Sequence, residues 1–320
     1  MADKVFTYGP ANVDGLLSHS LSAVRKKLAD NIFTRIPLFM WLKQKARLSE
    51  DGGATIVVPL MYGKNTTAKS YSGYGILDTT PQDGLTAAQY TWAQYSVSIT
   101  ISGREERIQN AGEKAILKLL ASKTEQAEMS LRDKLDIDLW ASATTGTNIL
   151  ALPTIVDTTT TIADVSKSAN SWWQAQVNAS GSFAAQGLSD MELTYNEVMN
   201  QSMDNSGPDF LCGTQAVYEF YNNKLQPQQR YTDNKYGDAG FENLRFKGAT
   251  MTFDGNVPSQ ALFFLRSDNL KLVSNSATNF ITTPFIKPEN QDARVAQILW
   301  AGNIVSDNNR KLGKMTGITA

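Results

Sequence analysis

Between Ser102 and Ala141 the sequence carries one sustained helical pattern, and a rod of that length limits the folds open to the chain. Apolar residues recur at Ile108, Ala115, Ile116, Leu119, Leu120, Ala127, Leu131, Leu135 and Leu139, the three-and-four spacing of a single helix face. Ser102 followed by Glu105 has the spacing of a capping box, in which a hydroxyl and a carboxylate satisfy the first free backbone N–H groups reciprocally. Gly112 costs about 1 kcal/mol relative to alanine inside a helix, so the continuous part is placed at 113–141, roughly 43 Å long at 1.5 Å per residue. A helix of that length needs a broad sheet or a second subunit to cover its apolar face.

The elements around it are mixed. Ahead of it, Leu17, Leu21, Val24 and Leu28 fall on one helical face with Arg25, Lys26 and Lys27 between them, an amphipathic arm. Residues 1–50 hold eight Lys/Arg against four Asp/Glu, net +4. A solvated face, or contact of Arg25, Lys26 and Lys27 with an acidic neighbour or packaged nucleic acid, both fit. Ala54–Tyr62 and Tyr90–Ser102 carry strand signals and could pair as a long hairpin, joined by a polar stretch containing Gly63, Gly73, Gly75 and Gly84. A two-stranded hairpin is marginal alone in water, so this one is expected to lie on its own chain or on another subunit.

After the long helix, 143–161 reads as loop with short strands. Ser189 and Glu192 open a second helix reaching about Met203, Phe210–Cys212 reads as a short strand, and Thr214 caps a third helix. Strands are predicted at 244–247, 250–254, 261–266 and 270–273, and a closing one at Val295–Val305. The fold class is α+β.

The sequence announces little chemistry. Lys and Arg number 30 against 31 Asp and Glu, without the basic excess of a dedicated nucleic-acid binder. Cys212 is the sole cysteine, which excludes an intramolecular disulfide and fits folding in a reducing cytoplasm. His19 is the sole histidine and lies in the arm, a poor start for a catalytic triad or a histidine metal site. Asp133, Asp136 and Asp138, with Arg132 and Lys134 among them, read as a solvated, salt-bridged helix face rather than a metal site. Gly73-Tyr74-Gly75 lacks the third glycine of a dinucleotide fingerprint, and Trp172-Trp173 reads as core or interface anchors. No apolar window reaches the roughly 18 residues a membrane span needs. Neither cofactor nor metal is expected, and no catalytic residue is nominated.

The element order, together with three local stretches, resembles the major capsid proteins of tailed bacteriophages, the Hong Kong 97-type capsid fold. Ser98-Ile-Thr-Ile-Ser-Gly-Arg-Glu-Glu followed by Gln109-Asn-Ala-Gly-Glu-Lys is similar to their strand-to-spine junction. Ile162-Ala-Asp with Ser171-Trp-Trp is similar to the loop after the spine, and Phe246-Lys-Gly through Leu262-Phe-Phe-Leu to the axial strands. The likeness runs from about residue 20 to residue 315.

The resemblance implies an N-terminal arm at 1–50, an extended β-hairpin loop at 51–101, a peripheral domain with the spine helix at 102–188 and 281–320, and a mixed α/β axial domain at 189–280. It implies a structural protein and not an enzyme, one that self-assembles into pentamers and hexamers of an icosahedral or prolate head enclosing double-stranded DNA. On that view Tyr71, Tyr74, Tyr90 and Trp92 are candidate intersubunit contacts, although any one of them could instead pack on its own subunit. The partners implied are copies of itself, a portal, scaffolding or decoration proteins, and packaged DNA through weak non-specific contact, with no membrane. The place implied is the virion, after assembly in the host bacterial cytoplasm. Some relatives carry a helical scaffolding segment ahead of the arm; here the arm begins near Met1, and a separate scaffolding protein or none is expected. An encapsulin-like protein nanocompartment and an α/β enzyme with an unrecognised site are the competing readings.

Overall fold

The computed structural model describes residues 36–50, 52–105, 113–202, 206–225 and 244–320. The basic arm with Arg25, Lys26, Lys27 and His19 lies outside the described residues, as does the polar stretch 226–243.

Helix α1, Pro37–Lys45, starts with Pro37 in its first turn, where a missing N–H costs nothing, and buries Leu38, Phe39, Trp41 and Leu42. Strand β1 (Arg47–Glu50) follows. Strands β2 (Ile56–Met61) and β3 (Leu85–Tyr90) pair antiparallel from Ile56 opposite Tyr90 to Met61 opposite Leu85. This corrects the expected hairpin: the partner of 56–61 is 85–90, and the alternating run forms a separate strand, β4, Ala93–Ser102. β4 stands at one edge of a four-stranded sheet of order β1-β12-β13-β4, with β12 at Leu270–Thr282 and β13 at Ala293–Ser306. Residues 93–101 therefore belong to that sheet and not to a projecting hairpin. β1 lies at the other edge, parallel to β12, with Arg47 opposite Leu272.

The long helix is α2, Glu113–Leu139. The capping box ahead of it is present in both directions: Ser102 N–H donates to Glu105 Oε2 at 2.9 Å and Glu105 N–H to Ser102 Oγ at 3.2 Å. Lys123 reaches back from α2 to Glu105 at 3.1 Å and to the Thr100 carbonyl at 2.9 Å, fixing the junction a second time.

The remaining strands are β5 (Thr161–Ile162), β6 (Val165–Ser166), β7 (Gln176–Ala179), β8 (Phe210–Gly213), β9 (Leu244–Phe246), β10 (Ala249–Phe253), β11 (Leu262–Leu265) and β14 (Gly313–Thr316). Six of these form a mixed sheet of order β7-β14-β11-β8-β10-β9. Helices α3 (Leu188–Asn200) and α4 (Gln215–Leu225) supply Met191, Tyr195, Val217 and Tyr221 to its core, against Leu211, Met251, Leu262, Phe264 and Met315. The segment 189–280 expected as one domain holds only part of this sheet, because β7 and β14, parallel to each other, lie outside it. α3 also differs from expectation at its start. It follows a π-turn at Phe183–Gly187 and has no side-chain cap, so Ser189 lies inside the first turn. Thr214 does cap α4, its Oγ1 accepting from Val217 N–H at 3.5 Å. The β9–β10 connection is Lys247-Gly248, with φ of +46° and +92°, the left-handed pair that a two-residue hairpin turn requires.

Contacts divide the chain into two compact units, with the described residues of 95–134 and 280–300 in one and those of 36–94, 135–279 and 301–320 in the other. No described helix is long and apolar enough to cross a membrane.

Candidate assembly surface

The β2–β3 hairpin has one dry face and one bare face. Alternation along β2 sends Ile56 and Leu60 into a core with Ala88, Tyr90, Ile162, Trp173, Val273 and Val305. The same alternation leaves Val57 55%, Met61 77% and Leu85 71% exposed on the other side. A polar sheet face would be the ordinary choice there; three large apolar side chains mark a surface that water does not suit.

Beyond the strands, residues 62–84 continue the projection without regular ladder pairing. The two limbs are held together at the base by Tyr62 N–H donating to the Gly84 carbonyl at 2.9 Å, and further out by Thr66 Oγ1 donating to Gln82 Oε1 at 2.8 Å. Local side-chain turns stiffen each limb: Asn65 Oδ1 accepts from Thr67, and Asp78 Oδ1 accepts from Thr80. The hydrogen bonds from Thr80 hold the Asp78 carboxyl below its ordinary value. Gly75 N–H donates to the Ser72 carbonyl at 2.6 Å and closes the turn at the end. A Cβ on Gly75 would stand 3.0 Å from that same carbonyl oxygen, so the turn fits glycine. Around it stand Tyr71, Tyr74, Ile76 and Leu77, all exposed, Tyr74 fully and Ile76 by 89%. An apolar tip carried on a cross-braced stem can insert into a complementary surface with little ordering cost.

At the root of the projection the aromatic residues divide. Tyr62 packs at a tilt on Trp172 with ring centroids 5.6 Å apart, and Trp172 contacts Trp173, which is buried. Trp172-Trp173 therefore anchors the hairpin to its own chain. Trp92 is half-buried and donates its indole N–H to the Gly53 carbonyl at 2.9 Å. Tyr90 is buried, 3% exposed, and its hydroxyl donates to the Ser306 carbonyl at 2.7 Å. Of the four aromatic candidates the structure thus leaves Tyr71 and Tyr74 fully presented and Trp92 in part. Tyr90 is a correction: strand alternation points it to the core, not outward. Val57, Met61, Ile76, Leu77 and Leu85 share the surface and were not singled out from the sequence; the parity of β2 relative to Ile56 and Leu60 was the available signal.

The acidic group on α2 is a second correction. Asp136 is fully buried and Asp138 is 5% exposed, although a solvated face was expected. Asp136 falls on the same stripe as Leu135, Leu139 and Trp140, all buried. Cys212 is buried in β8, as a small apolar residue would be. Among the described residues no cluster of three or more His, Cys, Asp or Glu side chains is arranged to hold a metal ion.

No protein-family model matches the sequence, and no curated protein matches it significantly. Solved structures do match. The capsid asymmetric unit of cyanophage A-1(L) superposes with a TM-score of 0.69 at 14% identity, over 92% of this chain and 96% of that one. The Mycobacterium phage Bobi structure gives 0.58 at 14% identity, over 95% and 98%. The SrpI encapsulin of Synechococcus elongatus gives 0.60 at 9% identity, over 95% of both chains. The described residues have the α+β Hong Kong 97-type capsid fold.

Proposed function

We propose that the chain is the major capsid protein of a tailed bacteriophage, a structural and non-catalytic subunit that assembles into pentamers and hexamers of a closed head around double-stranded DNA. The observation that carries this reading is the projecting hairpin, whose apolar face and tip remain exposed in the single chain on a fold that matches capsid subunits over almost their whole length. Closed symmetry would bury the same modest contact many times over. In this reading the hairpin with 62–84 is the extended loop and α2 is the spine. The six-stranded unit with α3 and α4 is the axial domain, taking in β7 and β14. The basic arm with Arg25, Lys26 and Lys27 contacts a neighbour or the genome. Copies of itself, a portal, scaffolding or decoration proteins and loosely held DNA are the partners, and the virion is its destination after assembly in the host cytoplasm.

A second reading, an encapsulin-like shell around protein cargo, is favoured by the match to SrpI. Negative-stain electron microscopy with size-exclusion chromatography, on the chain expressed alone and with its genomic neighbours, tests the assembly reading. Closed shells or capsomer rings are expected, and a small uniform monomer under both conditions would refute it. Double-stranded DNA inside native particles supports the phage head; an enzyme cargo supports the nanocompartment.

A further inference from the structure

The last turn of α2 carries a carboxylate into the interior, where it meets another. Asp136 is fully buried and Asp254, at the end of β10, is 2% exposed. Asn256 ties the two together: its side-chain amide donates to Asp136 Oδ2 at 2.9 Å, and its backbone N–H donates to Asp254 Oδ1 at 3.0 Å. Trp140, one helical turn beyond Asp136, donates its indole N–H to the remaining oxygen, Asp254 Oδ2, at 3.1 Å. The same indole packs edge-on against Phe263 of β11, so the site is walled by aromatic rings. Burial pushes the Asp254 carboxyl above its ordinary value, against hydrogen bonds from the Asn256 backbone, Trp140, Asp136 and the Gly255 backbone. A hydrogen bond between two carboxyl groups needs a hydrogen on one of them, since an ionised carboxylate only accepts.

We propose that Asp136 and Asp254 share a single proton, and that this proton latches the C-terminal end of α2 to the β10–β11 turn, so that the contact loosens when the proton is lost.

The chemistry follows the pattern of paired carboxyls generally: two that share a site cannot both ionise without mutual repulsion in a medium that screens it poorly. The titratable and charged groups nearby on the surrounding elements, among the described residues, are Asp133, Lys134, Asp138 and Arg132 on α2, the Cys212 thiol on β8, which pairs with β10, and the Tyr218 phenol on α4, whose ring contacts Phe253. Arg132 is engaged by Glu128 at 3.3 Å. Because the native carboxyl is raised, the stability it contributes is whole below the ordinary value of 3.8 and is lost as pH rises through the native value. The apolar side chains around the site explain why a carboxyl pair is tolerated there only in its singly charged form. The latch concerns the fold of one chain and does not depend on the assembly reading.

The test is thermal and denaturant unfolding of the full-length chain from about pH 4 to about pH 9, for wild type, Asp254→Asn and Asp136→Asn. Asn at 254 keeps a donor toward Asp136 and cannot ionise. Relative to Asp254→Asn, in which every other titration is unchanged, wild type is expected to lose stability with rising pH, its folding equilibrium constant falling against that of the variant by up to about tenfold per pH unit within the window. Asp254→Asn is expected to be flatter over that window. A pH slope in Asp254→Asn equal to that of wild type overturns the proposal. Infrared spectroscopy of wild type keeps the question decidable if neither variant folds: the C=O band of a protonated buried carboxyl is expected near neutral pH and should fade on alkalinisation, and its absence overturns the shared proton.

Discussion

The hydroxyl of Tyr90 and the backbone of Ser306, 216 residues apart, exchange two hydrogen bonds: the phenol donates to the Ser306 carbonyl at 2.7 Å and accepts from the Ser306 N–H at 3.2 Å. This pair ties the end of β3, and with it the root of the projecting hairpin, to the end of β13. Burial pushes the phenol far above its ordinary value, so it stays protonated and keeps donating. Tyr90→Phe removes the hydroxyl and leaves a buried carbonyl and N–H without it. The expected cost is about 1–3 kcal/mol, and Tyr90→Ala, which also empties the core, is expected to cost about 3–5 kcal/mol. Denaturant midpoints at unchanged slope would measure both. A Tyr90→Phe midpoint equal to wild type would mean that the hydroxyl contributes no net stability.

The tip residues should behave in the opposite way. Tyr74→Ser and Ile76→Ser replace exposed apolar side chains and are expected to leave the unfolding free energy within about 0.5 kcal/mol of wild type. Assembly should suffer, because central aromatic and aliphatic anchors carry about 2 kcal/mol or more each in a packed interface. Comparing unfolding curves with the protein concentration at which shells or rings appear separates the two effects. An unchanged assembly threshold in the double variant would remove these residues from the interface.

Much of the architecture could be read from local pattern. The long helix, the capping box ahead of it at Ser102 and Glu105, and the placing of the strands that start at Phe210, Leu244, Ala249, Leu262, Leu270 and Ala293 follow from periodicity and turn chemistry that each segment carries itself, but the reading of 270–273 missed the extension of β12 to Thr282. What escaped depended on distant partners. β3, Leu85–Tyr90, contains two alanines and a glutamine, and its strand character comes from six paired positions against β2. β7 and β14 are four residues each, with no apolar run, and become strands by pairing with one another and, for β14, with β11. Asp136 looked like solvent-facing charge because its neighbours in sequence are charged; in its buried place it accepts a hydrogen bond from Asn256, 120 residues away. For the assembly surface, the projecting segment was legible, but the inward or outward side of each aromatic was settled by strand parity, which turned Tyr90 inward and left Tyr74 bare.

Asp157 gives the chain an acid-sensitive contact. Burial acts to raise its carboxyl, but the Lys314 charge, the hydrogen bonds of Thr159 and the hydrogen bond of Lys314 outweigh it and bring it from 3.8 down to about 2. The Lys314 ammonium stands 3.3 Å away. A depressed native carboxylate contributes stability that is present above the unfolded value and is lost as pH falls through the native one. Wild type should therefore lose stability between about pH 4 and about pH 2 more steeply than Asp157→Asn does. Parallel acid-unfolding curves for the two proteins would count against the contact.

Lys167 should shape the alkaline side. The side chain is fully buried, and its ammonium donates to the carbonyls of Thr154 and Ile155 at 2.6 Å each, the last residues of a helical turn at Leu152–Ile155. Burial lowers its value from 10.5 to about 7, with the charge of Asp157 opposing and that of Lys314 assisting. Between those two values the unfolded chain binds a proton that the folded chain has released, so stability is expected to rise with pH across that interval. Lys167→Met keeps the length of the side chain and removes the titration. The variant is expected to lose the two carbonyl hydrogen bonds but to show a flatter pH profile from about 7 to about 10 than wild type. The two short carbonyl bonds favour the charged amine and work against the burial effect. If they prevail, the native amine stays charged, and wild type and Lys167→Met will run parallel over the whole interval.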